Sequence, residues 1–449
     1  MTHSPPSPPI PFAAQTALWI RRPTELMRFC RRRYGPTFTI GLPPRGITFF
    51  SDPESIRQIF AARADAMHAG EFNRLLRPIV GPSSVLLLDE SAHMRQRKLL
   101  LPPFHGERMR LYGATMQDAT RRSIDSWPHH EPFALHPHMQ GVTLDIILRT
   151  VFGLEEGAAL VELRDTLRRL LSLGEFRVSP LVLFLLGSRP ELERRAPFRW
   201  MLARRDRTDA LIHRQIAARR AAPGEERTDV LALLLEARDE QGQPMTDSEI
   251  RDELVTALVA GHETTATALC WAFERLLADR PVLERLVSEI RGAGEDASPE
   301  AIARLPYLDA TVKEVLRLRP VIPIVGRVLK RPETIGGYDL APGAHVGACI
   351  YLAHLNPDVY DDPEAFRPER FLQAQPDPAA WLPFGGGLRR CLGAAFAVYE
   401  MKIALATILS SVELELAQPA PIRVVRRAIT FSPERGVRVR VTRARRAAR

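Results

Sequence analysis

The sequence predicts a mainly α chain with a smaller β region, an α+β fold organised along one long central helix. Three observations carry this. The longest helical pattern opens at Thr246-Asp-Ser-Glu249, which fits a capping box, and runs to about Ala278 before Pro281. Apolar spacing through Leu144–Phe152, Leu160–Leu173 and Ala394–Leu409 is also helical. Strand-like runs of β-branched and aromatic residues are few and short: Phe38–Ile40, Ile47–Phe50, Val321–Val328 and Ala344–Ile350. No long linker divides the 449 residues, so a flexible Pro-rich arm over 1–14 is expected to precede a single domain over 15–449.

Taken in order, Pro43, Pro44 and Gly46 between the first two strand-like runs predict a hairpin. Asp52-Pro53 starts a short helix with Ile56, Ile59 and Phe60 on one side. In His93-Met-Arg-Gln-Arg97-Lys98, helical spacing puts His93 and Arg97 on one face, where they can grip a carboxylate together. Leu181–Leu186, bracketed by Pro180 and Pro190, reads either as a lid over an apolar channel or as a plain buried loop. Polar turns follow at 222–226 and at Gln241-Gly-Gln-Pro244.

The long helix would stretch close to 50 Å at about 1.5 Å per residue. In its middle stands Ala260-Gly261-His262-Glu263-Thr264-Thr265. Glycine there costs roughly 1 kcal/mol relative to alanine, and threonine hydroxyls compete for backbone carbonyls, so some gain other than local stability must favour them. Pro306 opens a further helix carrying Glu314 and Arg317 on one face and ending at Pro320, and turns are expected at Gly336-Gly337 and Pro342-Gly343. The chain then reaches Phe384-Gly-Gly-Gly-Leu-Arg-Arg-Cys-Leu-Gly393. Its glycines permit a tight turn and close approach to a flat ligand, Phe384 can pack beside that ligand, and Arg389 can reach an anionic edge. Cys391, just before a helix, is expected to have a pKa lowered toward thiolate, the form that binds a soft metal centre.

Composition narrows the function classes. With 45% hydrophobic and 26% charged residues, the chain is neither disordered nor fibrous. Cys30, Cys270, Cys349 and Cys391 include no C-x-x-C pair, which argues against a zinc site and a disulfide framework and fits a reducing, cytoplasmic setting. Ile10–Ile20 is interrupted by Gln15 and Thr16, falls far short of the roughly 20 apolar residues of a membrane span, and lacks the basic start of a signal peptide. The net charge of +9 gathers at Arg435, Arg438, Arg440, Arg443, Arg445, Arg446 and Arg449, read as a solvated basic end in preference to a nucleic-acid site.

The pattern Phe-x-x-Gly-x-Arg-x-Cys-x-Gly resembles the haem-binding loop of the cytochrome P-450 family, soluble bacterial type. Five fixed positions in ten residues arise by chance on the order of once in ten thousand such chains. The resemblance covers most of the chain and implies that fold, with the long helix over haem b (iron protoporphyrin IX). By it Cys391 is the axial ligand of the haem iron, and Phe384, Arg389 and Gly393 line the loop. His93, Arg97 and Arg327 would hold the propionates, with His93 standing where many members have tryptophan. The segment around Gly261-His-Glu-Thr resembles the family's oxygen-activation motif, in which the helix bulges. It assigns Thr264 to holding dioxygen and a water, and Glu263 to relaying protons. Phe366-Arg-Pro-Glu-Arg370-Phe371 resembles the partner of the Glu-x-x-Arg pair, making Glu314, Arg317 and Arg370 a buried structural triad.

Together these imply a haem-thiolate monooxygenase that inserts one oxygen atom from O2 into a hydrophobic small molecule bordered by Val321, Ile322, Ile324 and Val325, with a fatty acid or terpenoid as the leaning. Electrons would come from a separate acidic ferredoxin or flavodoxin, received on a basic face near Lys98, Arg390 and Lys402, since the chain shows no flavin, NAD or ferredoxin-cysteine fingerprint. A monomer without a nucleic-acid role is expected. The alternatives are a peroxygenase or isomerase on the same fold, or a haem-binding sensor without turnover.

Overall fold

Five helices carry or flank the site residues: α1 (Glu90–Leu100), α2 (Leu135–Phe152), α3 (Asp247–Ala278), α4 (Pro306–Leu318) and α5 (Ala394–Ser411). The computed structural model describes residues 4–43, 45–104, 108–154, 157–175, 199–221, 229–294, 297–373 and 377–444. The expected apolar segment Leu181–Leu186, the turn at 222–226 and the last three arginines of the tail lie outside these.

The long helix begins where its capping box predicts. Thr246 Oγ1 accepts from the Glu249 N–H at 3.2 Å, and the Glu249 carboxylate accepts from the Thr246 N–H at 2.8 Å. Its 32 residues span about 48 Å. The helix is α-helical without a break through Ala260–Thr265, so the bulge implied by the resemblance is absent. Its main neighbour is α2, which starts at Leu135, earlier than the apolar spacing alone indicates. Pro137 is tolerated there because first-turn N–H groups have no intrahelical partner. Leu254, Leu258, Leu269 and Phe273 of α3 meet Ile146 and Val151 of α2 and Ile403 and Leu405 of α5 in the main core, each large side chain contributing about 1.5–3 kcal/mol. Helix α5 is long and apolar enough to cross a bilayer, but 67% of it is buried inside the fold, as a core helix would be.

One sheet flanks the helices. Its strands are β1 (Thr37–Ile40), β2 (Ile47–Phe50), β3 (Met67–His68), β4 (Val325–Leu329) and β5 (His345–Ala348), in the order β1-β2-β5-β4-β3. The expected hairpin is β1–β2, with Thr37 opposite Phe50 and Ile40 opposite Ile47. β2 pairs parallel with β5, and the other neighbours pair antiparallel. The expected strand at 321–328 begins only at Val325, since Pro323 has no N–H for a ladder. Residues ahead of helix Phe12–Arg21 run beside β1, where the Pro6 carbonyl accepts from the Thr39 N–H at 2.7 Å.

A further hairpin, β6 (Val424–Arg427) and β7 (Thr430–Pro433), packs against α3. Arg438, Arg440 and Arg443 of the basic tail lie on the strand Arg438–Ala444, where Arg440 pairs with Glu415 at 2.7 Å.

Candidate active site

The cysteine loop owes its path to its glycines. Gly385 and Gly387 have φ of 65° and 62°, a region that L side chains rarely adopt. A Cβ on Gly386 would stand 2.4 Å from the Phe60 ring, so the loop passes tightly against the helix Pro53–Ala61. The turn closes with the Cys391 N–H donating to the Phe384 carbonyl at 3.0 Å, while the Phe384 ring meets Trp381 edge-on. Gly393 then caps α5, and a Cβ added to it would meet nothing within 4 Å.

Cys391 is exposed while the other three cysteines are buried. It is accessible yet crowded closely enough by protein that burial dominates its ionisation and pushes the thiol pKa up, against the Gly393 N–H and the Arg97 and Arg390 charges. This corrects the sequence expectation. The helix-end and cationic influences are present, but loss of solvent outweighs them for the free thiol.

On α3, Ala260 is exposed and Thr264 partly exposed in the middle of an otherwise buried helix, leaving one face bare. The Thr264 hydroxyl donates to the Ala260 carbonyl at 2.6 Å. Behind them Thr265 interacts with the fully buried Glu400 of α5, whose carboxyl pKa burial raises well above its ordinary value. Sequence reasoning passed over Glu400, an acid on an apolar helix.

His93, Arg97, Arg327 and Arg389 come together from α1, β4 and the cysteine loop. His93 is buried, and burial followed by the Arg389, Arg97 and Arg327 charges drives its pKa down to about 3. Arg327 is lowered to about 10 by burial and then by Arg389, and it donates to the Gly326 carbonyl at 2.8 Å. Arg389 is tethered to the Val85 carbonyl at 3.0 Å, to Asp89 at 2.6 Å and to the Leu88 carbonyl. The Arg97 side chain makes no hydrogen bond or ion pair among the described residues. Like charges gathered in a partly desolvated place call for anions. A flat macrocycle with iron for the sulfur and two carboxylates for these cations suits this donor set. Asp89 was not foreseen, because its tie to Arg389 spans 300 residues.

Glu263 does not turn toward Thr264. Its Oε1 accepts from His136 Nε2 at 3.2 Å and Thr267 Oγ1 at 3.3 Å, and its Oε2 accepts from Gln140 at 2.8 Å. Burial pushes its pKa up, but the hydrogen bonds from His136 and Gln140 outweigh that and hold it below the usual range. His136 and Gln140 escaped the sequence reading. Their spacing of four on an apolar helix is the available signal.

The buried ionic cluster forms behind the loop. Glu314 accepts from Arg317 at 2.7 and 2.9 Å and from Arg370 at 3.1 Å, and Arg317 also donates to the carbonyls of His354, Pro363 and Ala365. The Leu382 N–H donates to His354 Nε2 at 2.7 Å, so the proton sits on Nδ1 and points to the Arg317 carbonyl at 2.8 Å. His354 thereby joins α4 to the segment entering the cysteine loop. It is fully buried, and burial and then Arg317 lower its pKa to about 3.

A pH prediction follows from that position. The unfolded ring takes a proton below about 6.5 and the folded one resists it, so this contribution is complete above that pH and fades as pH falls toward the folded value. In urea melts between pH 6.5 and 5, His354→Gln is expected to flatten the stability slope by an amount that grows to about 1.4 kcal/mol per pH unit at the acid end. An unchanged slope would show that His354 is not held neutral.

The cytochrome P450 family model matches residues 5–436. The chain belongs to the cytochrome P450 family. It is 40% identical over 441 residues to cytochrome P450 135B1 of Mycobacterium tuberculosis, covering 97% of this chain and 91% of that one. Cytochrome P450 137 of the same species is 38% identical, with coverage of 92% and 84%. Among solved structures, retinoic acid bound cyanobacterial CYP120A1 superposes with a TM-score of 0.84 at 25% identity, covering 99% of this chain and all of that one. The haem domain of cytochrome P450DA gives 0.83 at 25% identity, with 99% of each chain covered. The protein is therefore a haem-binding P450 monooxygenase with the mainly α, α+β fold of that family.

One expectation about the P450 surface needs correction. Lys402 is buried on α5, donates to the Ala303 carbonyl at 3.0 Å and pairs with Asp309, so it cannot face a docking protein. Lys98 is exposed but paired with Glu240, while Arg390 is exposed beside Cys391.

Proposed function

We propose that this P450 inserts one atom of dioxygen into an apolar small molecule of fatty-acid or terpenoid type, by hydroxylation or epoxidation, drawing electrons from a separate acidic ferredoxin or flavodoxin in the cytoplasm. The single observation that carries the reading is the assembly of an accessible Cys391, a bare helix face at Ala260 and Thr264, and a gathered set of cations in one P450 chain. Bound haem supplies the activation of dioxygen and its transfer to carbon. Cys391 would hold the iron as thiolate. His93, Arg97, Arg327 and Arg389 would take the propionates, with Phe384 and Gly393 beside the ring.

Thr264 has its hydroxyl on the uncovered face, where it can hold a water and pass a proton, and Glu263 would refill it by swinging away from His136 and Gln140. Val325 packs against the cysteine loop, its Cγ1 3.8 Å from where a Cβ of Gly385 would be, and so does not border the face of Thr264. Val321 lies in the core instead. The retinoic acid in the CYP120A1 structure is an apolar isoprenoid acid, in keeping with this substrate class. Arg390 and the loop around it offer cationic contact to an acidic electron donor.

The test is reconstitution with a surrogate ferredoxin and its reductase on a library of fatty acids and terpenoids, with reduction slowing as salt is added. One-oxygen products are expected from O2; products only with peroxide, or none, would favour the peroxygenase, isomerase or sensor readings. Thr264→Ala should keep electron consumption while product per electron pair falls roughly tenfold or more. Unchanged coupling would remove Thr264 from the mechanism.

A further inference from the structure

Among the described residues Glu263 has three donors, and they are not equivalent. The Gln140 amide holds its protons at any working pH, whereas an imidazole can release one and take another. The His136 ring is oriented for that. Arg427 NH1 lies 3.4 Å from Nδ1, and a guanidinium only donates, so Nδ1 is the acceptor and Nε2 carries the hydrogen toward Glu263 Oε1. His136 is 3% exposed, but Arg427 is partly exposed and is followed by exposed Ala428 and Ile429 at the tip of the β6–β7 hairpin. The ring therefore stands between the partly buried Glu263 carboxylate and solvent at the hairpin tip.

A chain of hydroxyls reaches the same hairpin. Thr267 lies 3.5 Å from Ser432, Ser432 lies 3.4 Å from Thr430, and Thr430 donates to the Arg427 carbonyl at 2.9 Å. All three hydroxyl residues are buried, so they are unusual polar company for a core helix unless they serve a path. Among the described residues, the charged and titratable groups that interact with His136 are Glu263 and His262 from α3 and Arg427 from β6, with uncharged Gln140 one turn along its own helix. No acid among these competes with Glu263 for its proton.

We propose that His136 is the proton donor to Glu263 and that protons used in oxygen activation enter this P450 beneath the β6–β7 hairpin. The proposal rests on Glu263 acting as the relay. In the step, the Nε2–H bond breaks and an O–H bond forms at Oε1, while Nδ1 takes a proton from a hydronium ion arriving from solvent at the Arg427 side and leaves water behind, so the ring stays neutral overall and the supply falls as pH rises. His136 is thus a positioning and proton-supplying residue that need not touch substrate or haem.

The test compares haem-loaded wild type, His136→Gln and Glu263→Gln. Product per electron pair in wild type is expected to fall as pH rises. His136→Gln should be roughly tenfold less coupled and should lose that pH dependence. In histidine-15N-labelled protein, reduced and carbon monoxide bound, one ring should be the Nε2–H tautomer, vanish in His136→Gln and change its pH response in Glu263→Gln. If Glu263→Gln uncouples but His136→Gln keeps the wild-type profile, the proton-donor proposal alone is overturned. If Glu263→Gln remains fully coupled, the relay reading falls and the proposal with it. Should His136→Gln fail to fold, the labelled wild type and Glu263→Gln decide: no histidine responding to Glu263→Gln overturns the proposal.

Discussion

Cys391→Ser is expected to abolish oxygenation while leaving the fold in place. A serine hydroxyl is a far harder and less acidic donor than a thiol, so it cannot supply the soft anionic ligand that favours O–O cleavage. Product formation should fall below detection, and the reduced carbon monoxide adduct should lose the spectrum of thiolate ligation. Because the side chain is exposed and fills no core space, the protein stripped of haem should keep its unfolding free energy to within about 0.5 kcal/mol. No other cysteine can substitute. Cys270 and Cys349 are buried, and burial raises both thiols, the latter to about 12. A thiolate spectrum surviving in Cys391→Ser would refute the assignment.

Glu314→Gln is expected to cost about 3–5 kcal/mol, because it leaves the Arg317 guanidinium buried without its counter-charge. Against a typical total of about 5–15 kcal/mol that is a large share, so low yield and loss of haem should accompany it. Arg370→Ala should be milder, about 1–3 kcal/mol, since its side chain is 13% exposed and can leave its site open to water. Urea denaturation of the three proteins gives the comparison. A Glu314→Gln protein within about 1 kcal/mol of wild type would show that the carbonyls of His354, Pro363 and Ala365 suffice for Arg317.

Most of the architecture was legible because its causes are local. The capping box at Thr246, the proline and glycine turn between β1 and β2, and the glycines before Cys391 each act within a few residues. The site was legible in its parts, since His93, Arg97, Arg327 and Arg389 were nominated separately and the structure brings them together. What escaped were partners distant in sequence: Asp89 for Arg389, His354 for the triad and the cysteine loop, and His136 and Gln140 for Glu263.

The sequence by itself determined where the long central helix starts, where the thiol-bearing turn lies, and which side chains are candidates to meet an iron porphyrin, because propensity, capping and a fixed short motif are written in neighbouring residues. Only the tertiary structure decided the direction in which Glu263 points, the burial of Lys402, and the upward displacement of the Cys391 thiol pKa. Those outcomes depend on how much water is removed and which charges arrive from elsewhere in the chain, and packing alone sets both.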